Sequence, residues 1–177
     1  MTPDRFEERF IIHDHEADCM RRFTPGAVLR RAQQISTDHC NALGLTAQVY
    51  EQTHTAFLLA KLSVQWHQQL HTGDEVHAVT CPSAPQRAAY YRLTQFYNAG
   101  TGRLACEVDT RWVLVDTETK RILRKAPDAL PIPFTLPPQQ AAKLELTKAE
   151  TVPAGQVTAG FSRCDINEHL NNTQYAD

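Results

Sequence analysis

Thr24-Pro25-Gly26-Ala27-Val28-Leu29, running on to Ala42-Leu43-Gly44, is the stretch that decides the fold. Thr24 has the short polar side chain favoured at an N-cap, and Pro25 suits the first helical position, where no N–H is needed. Gly44 stands where a C-terminal cap belongs. Between them Val28, Leu29, Ala32, Ile35, His39 and Leu43 recur at helical spacing, which predicts one helix of about five turns from Pro25 to Leu43. Its apolar face is narrow, and Arg30, Arg31, Gln34 and Asp38 occupy the other side. A helix of this kind needs an apolar surface to lie on, and the flanking sequence supplies strands. Phe6 to Ile12 alternates raggedly. Ala56, Leu58, Ala60, Leu62, Val64 and Trp66 alternate at period two, as a half-buried strand does. Glu75 to Cys81 is β-prone. Ala89, Tyr91, Leu93 and Tyr97 mark another strand, closed by the hairpin signal Asn98-Ala99-Gly100-Thr101-Gly102. Leu104, Cys106, Val108, Trp112 and Leu114 mark the last. The expectation is an α+β domain, a long helix wrapped by a curved antiparallel sheet in meander order.

Composition narrows the class. Of 177 residues, 42% are hydrophobic and 21% charged, with a net charge of −2, which describes an ordinary globular protein with no basic excess for nucleic acid. No apolar run reaches membrane-spanning length, and the charged N-terminus has no signal core, so a cytoplasmic protein is expected. The five cysteines, Cys19, Cys40, Cys81, Cys106 and Cys164, are scattered without zinc spacing; reduced thiols and no metal or other cofactor are expected. Domain boundaries follow composition. Residues 1–126 form an N-terminal domain. Residues 127–147, with Pro131, Pro133 and Pro137, form an extended linker. Residues 148–177 begin a second unit, with a weak strand candidate at Val157 to Phe161; whether Lys143 to Glu150 is strand or helix is left open.

The chemistry concentrates in Arg163-Cys164-Asp165-Ile166-Asn167-Glu168-His169-Leu170-Asn171-Asn172. In extended backbone Asp165, Asn167 and His169 point to one side, bringing together a carboxylate, an amide and an imidazole. These are the groups that water-mediated hydrolysis requires. A polar turn in which Asp and Asn bond backbone groups and cap a helix explains the same residues. Cys164 falls on the opposite side by alternation. Laying Asp165 on Asp18 aligns two strand–loop–helix segments without a gap: His169 falls on Arg22, Asn167 on Met20, and Asn171 on the N-cap Thr24. A second helix is therefore expected near Asn172, and only the second copy carries the hydrolytic side chains.

These residues resemble the acyl-ACP thioesterases of plants and bacteria, which are built of two hotdog-fold halves. The similarity rests on Thr24-Pro25-Gly26, on Phe57-Leu58-Leu59-Ala60-Lys61-Leu62, on Trp112, and most sharply on the D-x-N-x-H-x-N-N pattern from Asp165 to Asn172 with Tyr175 beyond. The resemblance implies a duplicated hotdog fold whose second copy is truncated here. It implies that Asn167 and His169 are catalytic with Asp165 in support, and that an acyl slot lies under the long helix at Val28, Leu29, Ala32 and Ile35, four residues that a plain core would explain as well. The partner it implies is an acyl carrier protein; Arg21, Arg22, Arg30, Arg31, Arg121, Arg124 and Lys125 are cations that could meet its acidic surface, and a solvated surface explains each of them as well. A homodimer is left open. The family also has an acidic or Cys residue on a strand after the second helix, so the sequence reads as continuing beyond Asp177, and activity is expected to need that continuation.

The chemistry expected of the motif is specific. His169 accepts a proton from water at neutral pH, Asn167 holds the carbonyl or the water, and free N–H groups at the start of the second helix stabilise the oxyanion. Hydrolysis of acyl-ACP, releasing a free fatty acid, is the leading function. An acyl-CoA thioesterase and a non-catalytic acyl-binding module are the alternatives.

Overall fold

Helix α1 (Pro25–Ala42) begins and ends where its caps dictate. Thr24 Oγ1 accepts the Ala27 N–H at 3.3 Å, and Gly44, with φ of +81°, takes the left-handed turn that follows Leu43. A side chain other than glycine would be strained there. The computed structural model describes residues 3–130, 132–139, 150–153, 155, 156, 158–165 and 169–176. Around α1 stand β1 (Phe6–Ile11), α2 (Ala47–Gln52), β2 (Thr55–Trp66), β3 (Glu75–Pro82), β4 (Ala89–Asn98) and β5 (Leu104–Asp116). The strands form one antiparallel five-stranded sheet in the order β1-β3-β4-β5-β2.

That order corrects the expected meander. Strands β3, β4 and β5 do follow one another, but β2 lies at the far edge beside β5, while β1 occupies the place beside β3. Alternation identifies a strand and says nothing about its neighbour, because pairing is decided by tertiary contacts. The facing of β2 is corrected as well. Its register with β5 shifts between Leu59 and Lys61, so Ala60 is an extra residue that reverses the facing of everything before it. Leu62, Val64 and Trp66 pack on the core, yet on the other side of the bulge Phe57 packs inward and Leu58 is 37% exposed. On β4 the buried face toward α1 is Tyr90, Arg92, Thr94 and Phe96. The apolar pattern missed this face because half of it is polar. Helix α2 went unpredicted because six residues are too few to show a period; its Val49 and Tyr50 pack inward.

The core has two apolar parts. Ala27, Val28, Leu29, Ala32 and Ile35 of α1 pack with Phe23, Leu70, Val76, Phe96 and Val108 in the first. Leu45, Tyr90, Leu114 and Leu130 form the second. Leu130, in the Pro-rich segment, closes a turn in which its N–H donates to Pro127 O at 2.9 Å, and the described part of the segment packs against the domain. Ile132 and Phe134 pack on the second cluster, Ala84 N donates to Leu136 O at 2.7 Å, and the Asp4 carboxylate accepts both the N–H and the hydroxyl of Thr135 at 2.9 Å. Residues 140–149, including most of the undecided Lys143 to Glu150, lie outside the described residues. So does Val157. Among the described residues from 158 onward there is no strand, and the chain enters a 3-10 turn at Phe161–Arg163; Thr158, Ala159 and Gly160 offer no apolar face for a sheet to bury.

One ion pair anchors the approach to α1. Glu16 is buried and accepts Arg31 Nε at 2.7 Å, Arg31 Nη2 at 3.0 Å and the His13 N–H at 3.0 Å. Arg31 in turn lies over the Phe10 ring, 4.1 Å from its centroid. Burial pushes the Glu16 pKa up, but the Arg31 and His13 bonds with the neighbouring positive charge outweigh it and hold the carboxyl below its ordinary value. A carboxyl depressed in the folded state stabilises above its unfolded pKa and loses that contribution as pH falls through the folded one. Glu16→Gln is therefore expected to cost about 1.5–3 kcal/mol at neutral pH, the range for hydrogen bonds to charged groups. The difference from wild type should shrink as the pH is lowered below the ordinary carboxylate range. Urea melts at a series of pH values measure both effects.

Candidate active site

The polar stretch folds back on itself instead of running extended. The Asp165 N–H donates to His169 O at 2.8 Å and the His169 N–H to Asp165 Oδ1 at 3.3 Å. Cys164 and Leu170 pair across the base of the loop, and the Asn171 N–H donates to Arg163 O at 2.9 Å. The expected alternation of Asp165 and His169 along a strand is thus corrected. An Asp side chain accepts a nearby downstream N–H more readily than it leaves the backbone extended. The His169 side chain is exposed. Asn167 lies outside the described residues. Cys164 donates its thiol to Gly160 O at 3.5 Å.

The predicted second helix starts at Asn172, as a 3-10 helix Asn172–Ala176. Asn171 caps it: its Oδ1 accepts the Thr173 N–H at 3.0 Å and the Thr173 hydroxyl at 2.9 Å, and its carbonyl accepts the Gln174 N–H at 2.9 Å. This corrects the idea that these N–H groups await an oxyanion. Thr173 and Gln174 have already spent theirs on the cap.

The same arrangement opens the chain. Asp18 N donates to Arg22 O and Arg22 N to Asp18 Oδ1, each at 2.9 Å. Ala17 pairs with Phe23, the Thr24 N–H donates to Glu16 O at 3.1 Å, and a 3-10 turn (Asp14–Glu16) precedes the loop as Phe161–Arg163 precedes the other. Each position matches its partner when Asp18 is laid on Asp165. Arg22 takes the place of His169, and its Nε closes on Asp18 Oδ2 at 2.8 Å.

Beside the second loop a narrow cavity of about 30 Å³ runs between α1 and the sheet. Asn172 and Thr173 line it at one side and Leu29, Ala32, Gln33 and Ser36 along the helix. Leu59 and Leu62, from opposite sides of the β2 bulge, both reach its wall, together with Thr110 and Trp112 of β5 and Thr94 of β4. The hydroxyls in this wall are engaged elsewhere. Ser36 donates to Ala32 O at 2.6 Å, Thr94 bonds Thr80 at 2.9 Å, and Thr110 donates to the Arg92 carbonyl at 3.1 Å. With their hydrogen bonds made along the wall, these side chains can present carbon to the cavity. Gln33 brings an amide with no side-chain hydrogen bond among the described residues. Of the four residues expected to form an acyl slot, Leu29 and Ala32 line the cavity, while Val28 and Ile35 sit in the first core cluster. Gln33 and Ser36 were missed although they continue the stripe of Leu29 at four and seven residues. Among the described residues no three His, Cys, Asp or Glu side chains converge as a metal site.

The profile of the acyl-ACP thioesterase N-terminal domain matches residues 3–132. The chain belongs to the acyl-ACP thioesterase family. A chloroplastic acyl-[acyl-carrier-protein] hydrolase of Cuphea viscosissima is 20% identical over 186 residues, covering 96% of this chain and 45% of that protein. The chain spans about half the length of the curated relatives it matches. An oleoyl thioesterase from Lactobacillus plantarum superposes with a TM-score of 0.84 at 20% identity, over 97% of this chain and 68% of the other. An acyl-ACP thioesterase from Bacteroides thetaiotaomicron gives 0.83 at 16% identity, over 99% and 72%. The fold is the hotdog of these thioesterases, with one copy of helix and sheet among the described residues. Because the cap on Asn172–Ala176 rests on one side chain, Asn171→Ala is expected to weaken that helix by about 1 kcal/mol. Hydrogen exchange at Thr173 and Gln174 should then quicken severalfold while that of α1 is unchanged.

Proposed function

We propose that this protein hydrolyses the thioester of acyl-acyl-carrier-protein, with residues 1–126 holding the acyl chain and residues 148–177 supplying the catalytic loop. One observation carries the reading: Asn172 and Thr173, which line the cavity along α1, follow within a few residues of the exposed His169 imidazole. A loop able to move a proton and a small, mostly apolar cleft between α1 and the sheet share one piece of backbone. The family membership and the names of the relatives support the same chemistry.

In this mechanism His169 takes a proton from water, and the resulting hydroxide adds to the thioester carbonyl. The tetrahedral intermediate collapses with cleavage of the C–S bond. The carrier thiolate recovers the proton from the imidazolium, and the fatty acid leaves as a carboxylate once its own proton is lost to solvent. Asp165 acts through the loop, its Oδ1 holding the His169 backbone N–H. Asn167 orients the carbonyl or the water, in the role the motif implies. The acyl chain lies against Leu29 and Ala32, with Val28 and Ile35 backing them from the core. Carrier docking falls to exposed cations such as Arg21, Arg121 and Arg124, since Arg22 is bound to Asp18 and Arg31 to Glu16. The free thiols of the described cysteines fit a reducing, cytoplasmic setting.

His169→Ala, made in the complete protein, tests the proposal. The side chain is exposed and packs in no core, so the melting temperature should hold while hydrolysis of acyl-ACP falls about a hundredfold to ten-thousandfold. Near-normal turnover by the folded variant would remove His169 from the reaction.

A further inference from the structure

The wall of the cleft beside α1 holds two amide side chains that the mechanism does not use. Gln33 comes from the helix, one turn beyond Leu29 on the flank of the apolar stripe. Asn172 comes from the other side, as the first residue of the 3-10 helix that follows the Asp165–His169 loop. Both are half-buried. Neither makes a side-chain hydrogen bond among the described residues, whereas Ser36, Thr94, Thr110 and Thr173 in the same wall have committed theirs. Helix α1 packs against Asn172–Ala176, so the two amides border one space.

That space measures about 30 Å³, close to the share of one molecule in liquid water. Groups from two elements around so small a space reach the same guest atom. An amide has two N–H bonds to donate, and Leu29, Ala32, Leu59 and Leu62 surround these two with carbon. Away from bulk water, such donors act more strongly on a developing charge. Both are also held in place. Gln33 sits in the interior of an 18-residue helix. On either side of Asn172 the backbone is fixed, since the Asn171 N–H donates to Arg163 O at 2.9 Å and Thr173, which is buried, donates to Asn171 Oδ1. Donors set in advance need no rearrangement when charge appears. The reaction requires such donors, because the N–H groups of Thr173 and Gln174 are spent on the helix cap.

We propose that Gln33 and Asn172 form the oxyanion site, their amide N–H groups donating to the thioester carbonyl oxygen as it becomes negative. The carbonyl enters the cleft oxygen first. As hydroxide adds to the carbon, the π electrons move onto that oxygen and are met by the two amides; they return when the C–S bond breaks and the thiolate leaves. Gln33 then gives α1 a share in the chemistry as well as in holding the chain. The proposal rests on the reading of this protein as a thioester hydrolase with His169 as its base.

The experiment measures acyl-ACP hydrolysis by the complete protein as wild type, Gln33→Met, Gln33→Glu and Asn172→Ala. Binding of two inert probes is followed alongside: an alkyl trifluoromethyl ketone, whose carbonyl hydrates to a tetrahedral form, and the matching thioether, which has no oxygen there. Met suits a helix as well as Gln does. Gln33→Met should lower kcat about a hundredfold to a thousandfold, the effect of removing one oxyanion donor, with KM nearly unchanged. Gln33→Glu keeps the shape and can accept hydrogen bonds but, ionised, cannot donate them; it should fall at least as far. Asn172→Ala should lower kcat in the same way. Gln33→Met should bind the ketone about tenfold or more weakly than wild type, the scale of one hydrogen bond to a charged group, and the thioether equally well. Wild-type kcat in folded Gln33→Met or Gln33→Glu, or ketone binding unchanged by Gln33→Met, overturns the role of Gln33 and leaves the hydrolase reading standing. Wild-type kcat in Asn172→Ala overturns the two-donor site. A raised KM with kcat intact marks a substrate-holding residue and overturns the proposal too. A wild type that hydrolyses no acyl-ACP overturns the hydrolase reading, and the oxyanion role with it.

Discussion

Seating α1 lengthwise on the inner face of the sheet is the interaction on which the whole domain depends. The helix has only a narrow apolar stripe, and each large aliphatic side chain on it contributes about 1.5–3 kcal/mol when fully buried. That stripe must therefore find apolar partners along most of its length. The sheet provides them in two patches, Phe96 with its neighbours under the first turns and Tyr90 with Leu114 beyond the last. The gap between the patches is where the domain departs from a plain core. His39 and Arg92 face each other there, and the walls on either side hold threonine and serine.

The cavity follows from the same seating. A regular β2 would turn either Leu59 or Leu62 toward solvent, since residues an odd number apart face opposite ways. The bulge at Ala60 lets both contribute to one wall. Edge strands tolerate such bulges because only one neighbour must accommodate the shift. Strands β4 and β5, in register from Ala89–Val113 to Phe96–Cys106, form the floor, and the irregular strand shapes the side.

Much of this was legible in the sequence, and the parts that were not share a cause. The caps Thr24 and Gly44 located α1 within a residue, and alternation found the strands, because both signals are local. Sheet order, the Ala60 bulge and the inward face of β4 were hidden because they depend on contacts between distant segments. Arg92 and Thr94 fall between the apolar residues Ala89, Tyr91, Leu93 and Tyr97 that marked the strand, and a buried cation is the case in which hydrophobic pattern points the wrong way. At the site, the start of the second helix was legible from Asn171. The closure of the Asp165–His169 loop was not, because the Asp side chain bonds a backbone group four residues on. Docking of the Pro-rich segment was likewise invisible: prolines predict an extended chain but not that Leu130, Ile132 and Phe134 would find a surface.

The recurrence of one loop geometry at Asp18–Arg22 and Asp165–His169 separates scaffold from cargo. The hydrogen bonds that close the loop come from the backbone and from one aspartate, so the residue four places on contributes only its N–H and C=O to the architecture. Its side chain is free to change. One copy spends that freedom on an arginine that clamps its own aspartate; the other carries an imidazole facing water. Such a site can lose or acquire a reactive group by a single substitution without re-solving how to fold, and a duplicated gene then begins with a spare mounting on which selection can try new chemistry.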